Sequence, residues 1–172
     1  MLKNAGILLI ILSGAGIGYS KSRELTLRER NLRQFLQMTV YLKGAIRCGC
    51  SSLPDAFSET AEKLPGIYGE FLRETACCLR DARGQTLGEI YRQCWEEKLS
   101  DLMFSAEERD LLLSFGGKLG YLDREMQLRQ MELCEEEIQG LLNKLRKEMP
   151  DKKKIYQSLG VLGGVLLAVL LW

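Results

Sequence analysis

The strongest constraint on this chain is where its charges are missing. From Asn4 to Ser20, and again from Ile155 to Trp172, there is no Asp, Glu, Lys or Arg. Of 24 Lys and Arg residues only Lys3 lies outside residues 21–154, so 23 basic side chains face all 23 acidic ones in that middle stretch. A segment so dense in charge folds against water, whereas an uncharged run of this length can be taken up whole by hydrocarbon. At about 1.5 Å rise per residue the two runs reach about 26 and 27 Å as helices, against a hydrocarbon core of about 30 Å. Slight bilayer thinning or snorkelling flanks close the difference. The expected organisation is a transmembrane helix over residues 4–20, a helical domain over 21–154 and a second transmembrane helix over 155–172.

The flanks set the expected orientation. Lys21, Arg23, Arg28, Arg30 and Arg33 follow the first run, and Lys144, Arg146, Lys147, Lys152, Lys153 and Lys154 precede the second. The far ends offer only Lys3 and the amino terminus. Counted close to the membrane, this bias places the middle domain in the cytoplasm. A cleaved leader is the competing reading of the first run, because Lys3 precedes it and small residues close it. The cations immediately after it oppose export and favour an anchor. Tyr19, Tyr156 and Trp172 fall where interfacial aromatics belong. Each run also carries a four-residue glycine spacing, Gly14 with Gly18 and Gly160 with Gly164. Where no hydrophobic force separates helix from lipid, small residues at this spacing let backbones approach. These four glycines are the candidate membrane-helix packing residues, within one chain or between copies in a homo-oligomer, although glycine is also simply common in membrane helices.

The middle domain reads as about six helices with no sustained strand alternation, so the expected fold is all-α. Leu25, Leu32, Leu36, Thr39, Leu42 and Ile46 recur at helical spacing from about Ser22 to Cys48, and Gly49 ends that helix. Ser51, Ser52, Leu53 and Pro54 look like a cap followed by proline near a first turn and open a short helix to about Leu64. Pro65 and Gly66 break the chain before a third, which places Phe71, Leu72, Ala76 and Leu79 inward and stops near Gly84. Thr86 with Glu89, and Ser105 with Glu108, have capping-box spacing. Ile90, Cys94, Leu99 and Leu102 follow the first box; Leu111, Leu112 and Phe115 follow the second. Gly116, Gly117 and Gly120 suggest a turn, and Asp123 a cap for a last helix to about Met149. The stretches Gly49–Phe57 and Gly84–Ile90 echo each other weakly, as any two helix starts would.

Several function classes are disfavoured. A charge-balanced domain lacks the net basic surface that phosphate neutralisation requires, so nucleic acid is not an expected partner. The chain has no His, which removes the commonest general acid–base group, and it has no Walker-type Gly-Lys-Ser/Thr loop. No enzyme activity and no cofactor are expected. Cys48 with Cys50, and Cys77 with Cys78, are conceivable zinc ligands, but buried free thiols are the preferred reading of the six cysteines. Glu135, Glu136 and Glu137 are expected to form a solvated helix face.

Residues Phe115 to Gln127, including Leu119, Gly120, Asp123 and Arg124, resemble the stage III sporulation protein AB family of endospore-forming bacteria. Lys154 to Gly164 resembles that family's terminal membrane helix, and Leu42 to Phe57 also fits; the likeness covers the whole length. The family in turn is similar to the F-type platform proteins of type II secretion and type IV pilus machines. The resemblance implies a two-span platform in the channel complex joining mother cell and forespore. Its cytoplasmic domain would dock a secretion-type ATPase, stage III sporulation protein AA, and its spans would meet membrane lipid and the other membrane proteins of the stage III sporulation A complex. The implied location is the mother-cell membrane around the forespore. The candidate docking residues are Gly116, Leu119, Gly120, Asp123, Arg124 and Gln127, together with the helix starts at Gly49 and Gly84. Gly117 and Ala45 depart from the family, which often carries acidic residues there, and Pro150 is expected to interrupt the final helix. A membrane-tethered adaptor or sensor bundle with no transport role is the alternative.

Overall fold

A computed structural model describes residues 2–49, 52–81, 84–120 and 123–170, without the side chains of 2–5, 7–12, 168 and 170. Among the described residues six helices follow one another: α1 (Leu2–Arg47), α2 (Leu53–Lys63), α3 (Ile67–Asp81), α4 (Leu87–Lys98), α5 (Ala106–Leu119) and α6 (Arg124–Leu170). No strand occurs among the described residues, and the fold is all-α. The chain divides into two compact units. One comprises Met1–Glu29 with Asn143–Trp172, the other Arg30–Leu142, and α1 and α6 contribute to both.

The helix starts follow from local chemistry. The Ser52 hydroxyl accepts from the Asp55 amide at 3.4 Å, with Pro54 in the first turn, where its missing N–H costs nothing. Both capping boxes form. The Thr86 hydroxyl accepts from the Glu89 amide at 3.3 Å while the Glu89 carboxylate takes the Thr86 amide at 2.8 Å; Ser105 and Glu108 repeat the exchange at 3.2 and 2.6 Å. The chain reverses at Gly49, Gly66 and Gly84 with φ of 97°, 78° and 88°, a region closed to most side chains.

Three sequence expectations need correction. The first is that α1 opens near Ser22. It is one helix from Leu2, because no glycine–proline break separates the apolar run from the amphipathic one. The second is a turn at Gly116 and Gly117. Both lie inside α5, and only Gly120, at the C-cap, ends it; glycine at about 1 kcal/mol is a modest penalty that packing overrides. The third is an interruption at Pro150. Helix α6 runs through it to Leu170. Proline removes one backbone donor, but this residue is exposed and the Lys152–Glu148 ion pair, at 2.6 Å, straddles it on the helix surface.

The second unit is closed by aromatic packing. Phe35 of α1 meets Trp95 at 6.1 Å and Phe115 at 6.0 Å between ring centroids, and Phe71 meets Tyr91 at 5.0 Å edge to face. Phe35, not the expected Leu36, faces inward, because Leu32, Phe35, Thr39, Leu42 and Ile46 share one stripe at alternating spacings of three and four. Leu79 and Leu102 are only half-buried. Buried hydroxyls are satisfied locally: Thr39, Thr60 and Thr75 each donate to the carbonyl four residues back. Asn31 ties three segments, donating to the Met103 carbonyl at 3.1 Å while its own carbonyl accepts from Tyr68 Oη at 3.0 Å.

Among the described residues no helix is long and apolar enough to cross a membrane. The spans expected over 4–20 and 155–172 depend on side chains at 4, 5, 7–12, 168 and 170–172, which lie outside the described residues.

Candidate functional site

Two groups of residues singled out by the sequence come together in space, each within its own unit. In the first unit α1 and α6 cross at glycines. A Cβ built on Gly14 would lie 2.5 Å from the Gly160 carbonyl oxygen and 3.0 Å from the Gly164 Cα; one on Gly160 would lie 2.5 Å from the Gly14 oxygen and 3.0 Å from the Gly18 Cα. A Cβ on Gly18 would strike the Tyr156 carbonyl at 2.5 Å. The two backbones are therefore in direct contact, and any side chain at these positions forces them apart. Gly16 and Gly163 face open space, so the contact belongs to one face of each helix. Beyond the crossing Arg146 Nε bonds Glu29 Oε1 at 2.8 Å, joining the same two helices by charge. Lys21 is held protonated more firmly than usual by its hydrogen bond and attraction to Glu24, and the Lys152 ammonium holds the Glu148 carboxyl below the usual range.

The second group is the corner between α5 and α6, residues 116–127, of which 121 and 122 lie outside the described residues. Gly116 is buried with the Tyr91 ring of α4 pressed onto its backbone, and a Cβ there would overlap that ring. Leu119 is fully buried, and Gly120 sits against Leu87. Asp123 Oδ1 accepts from the Met126 amide at 2.8 Å, capping α6. Gln127 Nε2 donates to the Leu119 carbonyl at 3.0 Å, supplying a partner to the last turn of α5. The Arg124 guanidinium donates to the Arg47 carbonyl and so closes the end of α1. Gly116 and Leu119 thus present nothing outward; the accessible side of the corner is Gly117, Lys118, Gly120, Asp123 and Arg124. Gly117 is exposed and a Cβ on it would point into open space, whereas Ala45 is buried. An acidic residue at 117 would reach solvent, but one at 45 would enter the core.

Two features had no signal strong enough to be read in advance. Gly88 of α4 approaches Gly117 of α5 so closely that a Cβ on it would lie 3.2 Å from the Gly117 Cα. Lys43 of α1 bonds Glu135 of α6 at 2.6 Å, across 92 residues. Side-chain exposures of 23% and 18% make this a half-buried pair, and Glu135 Oε1 is buried with no hydrogen-bond partner among the described residues. Glu135 therefore leaves the solvated face expected for the three glutamates, while Glu136 and Glu137 remain on it.

The cysteines divide by burial. Cys94 and Cys134 are buried, and burial pushes their thiols up to about 11 and about 12. Cys48 and Cys77 are exposed and Cys78 is half-buried, contrary to the expectation that all would be interior; Cys50 lies outside the described residues. Among the described residues no three His, Cys, Asp or Glu side chains are grouped to hold a metal ion.

Comparison with known proteins gives one consistent result. The family model described as Stage III sporulation protein AB matches residues 3–172. The chain is 25% identical over 171 residues to Stage III sporulation protein AB of Bacillus subtilis (strain 168), covering 99% of each chain. A solved structure of a Stage III sporulation protein AB superimposes with a TM-score of 0.63 at 20% identity, covering 72% of this chain and 96% of that one, and shares its fold.

Proposed function

Because the chain belongs to the stage III sporulation protein AB family, a family of sporulation proteins, we propose that it is a two-span membrane platform in the channel complex between mother cell and forespore. The observation that carries the proposal is that the family match runs from residue 3 to residue 172, so both uncharged ends belong to the family's pattern. The glycine crossing of α1 and α6 supports it, since a backbone-to-backbone contact suits a pair of helices held together in lipid. In this reading the two ends anchor the chain in the mother-cell membrane around the forespore. The helical body, of type II secretion F-like fold, lies in the cytoplasm. Its partner there is a secretion-type ATPase, stage III sporulation protein AA. The other membrane proteins of the stage III sporulation A complex, or further copies of this chain, pack beside its spans.

The accessible side of the α5–α6 corner is the proposed docking surface. Asp123 and Arg124 are exposed and held in place by their own hydrogen bonds, so a partner meets groups that are already ordered.

The test has two arms. Affinity purification of the full-length chain from sporulating cells should enrich a Walker-motif ATPase. Recovery of other proteins without one would favour the adaptor reading instead. An impermeant thiol reagent should leave exposed Cys48 and Cys77 unmodified in intact cells and modify them after permeabilisation. Modification in intact cells would put the body on the wrong side of the membrane.

A further inference from the structure

Charge is divided unevenly between the two units. The unit formed by Met1–Glu29 and Asn143–Trp172 has 10 Lys and Arg against 4 Asp and Glu; the unit Arg30–Leu142 has 14 against 19. A chain with a net charge of +1 therefore concentrates its positive charge in the unit that also carries the apolar ends.

Within that unit one face of α6 changes character in regular steps. Lys154 is exposed, and no ion pair engages it among the described residues. One turn on, Gln157 and Ser158 line a shallow open groove, which Val161 and Leu162 continue for a further turn. Val161 and Leu162 are 45% and 64% exposed. Successive residues four apart stand about 6 Å apart along the axis and share a face, so the cation of Lys154 sits above the groove on the face that its hydrogen-bonding and apolar levels continue. Lys147, also exposed, lies seven residues before Lys154 and extends the cationic end of the same face.

We infer that this face of α6 is a binding site for one anionic phospholipid. Lys154 meets the headgroup phosphate, Gln157 and Ser158 the glycerol-ester region, and Val161 and Leu162 an acyl chain, while Lys147, about 10 Å further along the axis, adds to the attraction for the headgroup's charge. A free phosphate would use only the first level, and an uncharged lipid only the last two; an anionic lipid uses all three. The inference rests on the membrane reading above, and it goes further by naming the lipid class and the helix face.

The test uses the full-length chain reconstituted in phosphatidylcholine vesicles with a minor fraction of spin-labelled phosphatidylglycerol or spin-labelled phosphatidylcholine. Flotation with alkali-resistant retention records insertion, and the motionally restricted spectral component records lipid association. The expected result is preferential association of phosphatidylglycerol, falling about fivefold in Lys154→Gln. Lys152→Gln is the control, because residues two apart on a helix point about 160° away from each other at nearly the same depth. It should leave most of the preference intact. Ser158→Leu, which keeps the charge and fills the groove, should lower the preference too. An equal loss in Lys152→Gln and Lys154→Gln would mean a diffuse field and would overturn the site. So would an inserted wild-type chain with no preference, leaving the membrane reading standing. A chain that failed to float with any vesicle would overturn both.

Discussion

Gly116 and Gly117 are neighbours in sequence, lie in the same helix and have opposite surroundings, which allows one contact to be weighed with its own control. Adding a methyl group at either position should gain roughly 1 kcal/mol, because alanine orders more readily than glycine in a helix interior. At Gly117 nothing lies within 4 Å of the added carbon. At Gly116 the carbon would overlap the Tyr91 ring. That ring is fully buried and packs at 5.0 Å on Phe71 and 6.3 Å on Phe115, so it has nowhere to swing. Overpacking a well-filled core costs about 1–3 kcal/mol. Gly116→Ala should therefore be less stable than Gly117→Ala by about 1–3 kcal/mol, with helix propensity cancelling between them. At about 2–4 °C per kcal/mol for a chain of this size, the melting temperatures should separate by several degrees. Far-UV circular dichroism of the two full-length variants in detergent would measure it. If Gly116→Ala melted as high as Gly117→Ala, the α4–α5 packing described above would be wrong, and Gly116 could return to the docking surface.

The remaining expectations concern the other contacts. Lys43→Met should destabilise the fold by about 2 kcal/mol, because it strands a half-buried carboxylate that already has one oxygen without a partner among the described residues. Pairing it with Glu135→Leu should recover most of the loss, and a single variant with an unchanged denaturation midpoint would remove the pair from consideration. In the native protein an alkylating reagent should modify Cys48 and Cys77 rapidly and reach Cys94 and Cys134 only on unfolding. Both buried thiols bind their protons more tightly when folded. Their contribution to stability is therefore complete below about pH 9 and is lost as pH rises towards 11 for Cys94 and 12 for Cys134. A denaturation midpoint flat across that window would contradict their burial. Replacing Gly160 and Gly164 together by Leu should sharply reduce crosslinking between cysteines introduced on α1 and α6 in a background without the native ones; undiminished crosslinking would refute the close crossing.

Much of the fold was legible because the relevant signals are local. Capping boxes at Thr86 and Ser105, the breaks at Gly49 and Gly66, and the period of apolar residues each involve a few neighbouring positions, and each marked a helix boundary to within a few residues. The misreadings at Gly116, Gly117 and Pro150 share one cause. Glycine and proline lower helix propensity wherever they occur, and only the surroundings decide whether that preference governs. Tyr91 needs a bare backbone on α5, so Gly116 stays helical; Pro150 is exposed and forfeits one hydrogen bond to water without ending α6.

What the sequence settled alone was the arrangement along the chain: uncharged ends, a charge-balanced helical middle, the boundaries of most helices and the family to which they belong. These depend on composition and near-neighbour chemistry, which a linear reading contains. Tertiary structure decided which residues meet across long separations. The pairing of Lys43 with Glu135, the seating of Gly116 under Tyr91, the burial of Cys94 and Cys134 but not Cys48 and Cys77, and the use of Arg124 and Gln127 to close other helices' ends all depend on how the helices are rotated about their axes. A rotation of one residue, about 100°, would exchange every inward side chain for a neighbour, and only packing the whole core at once fixes it.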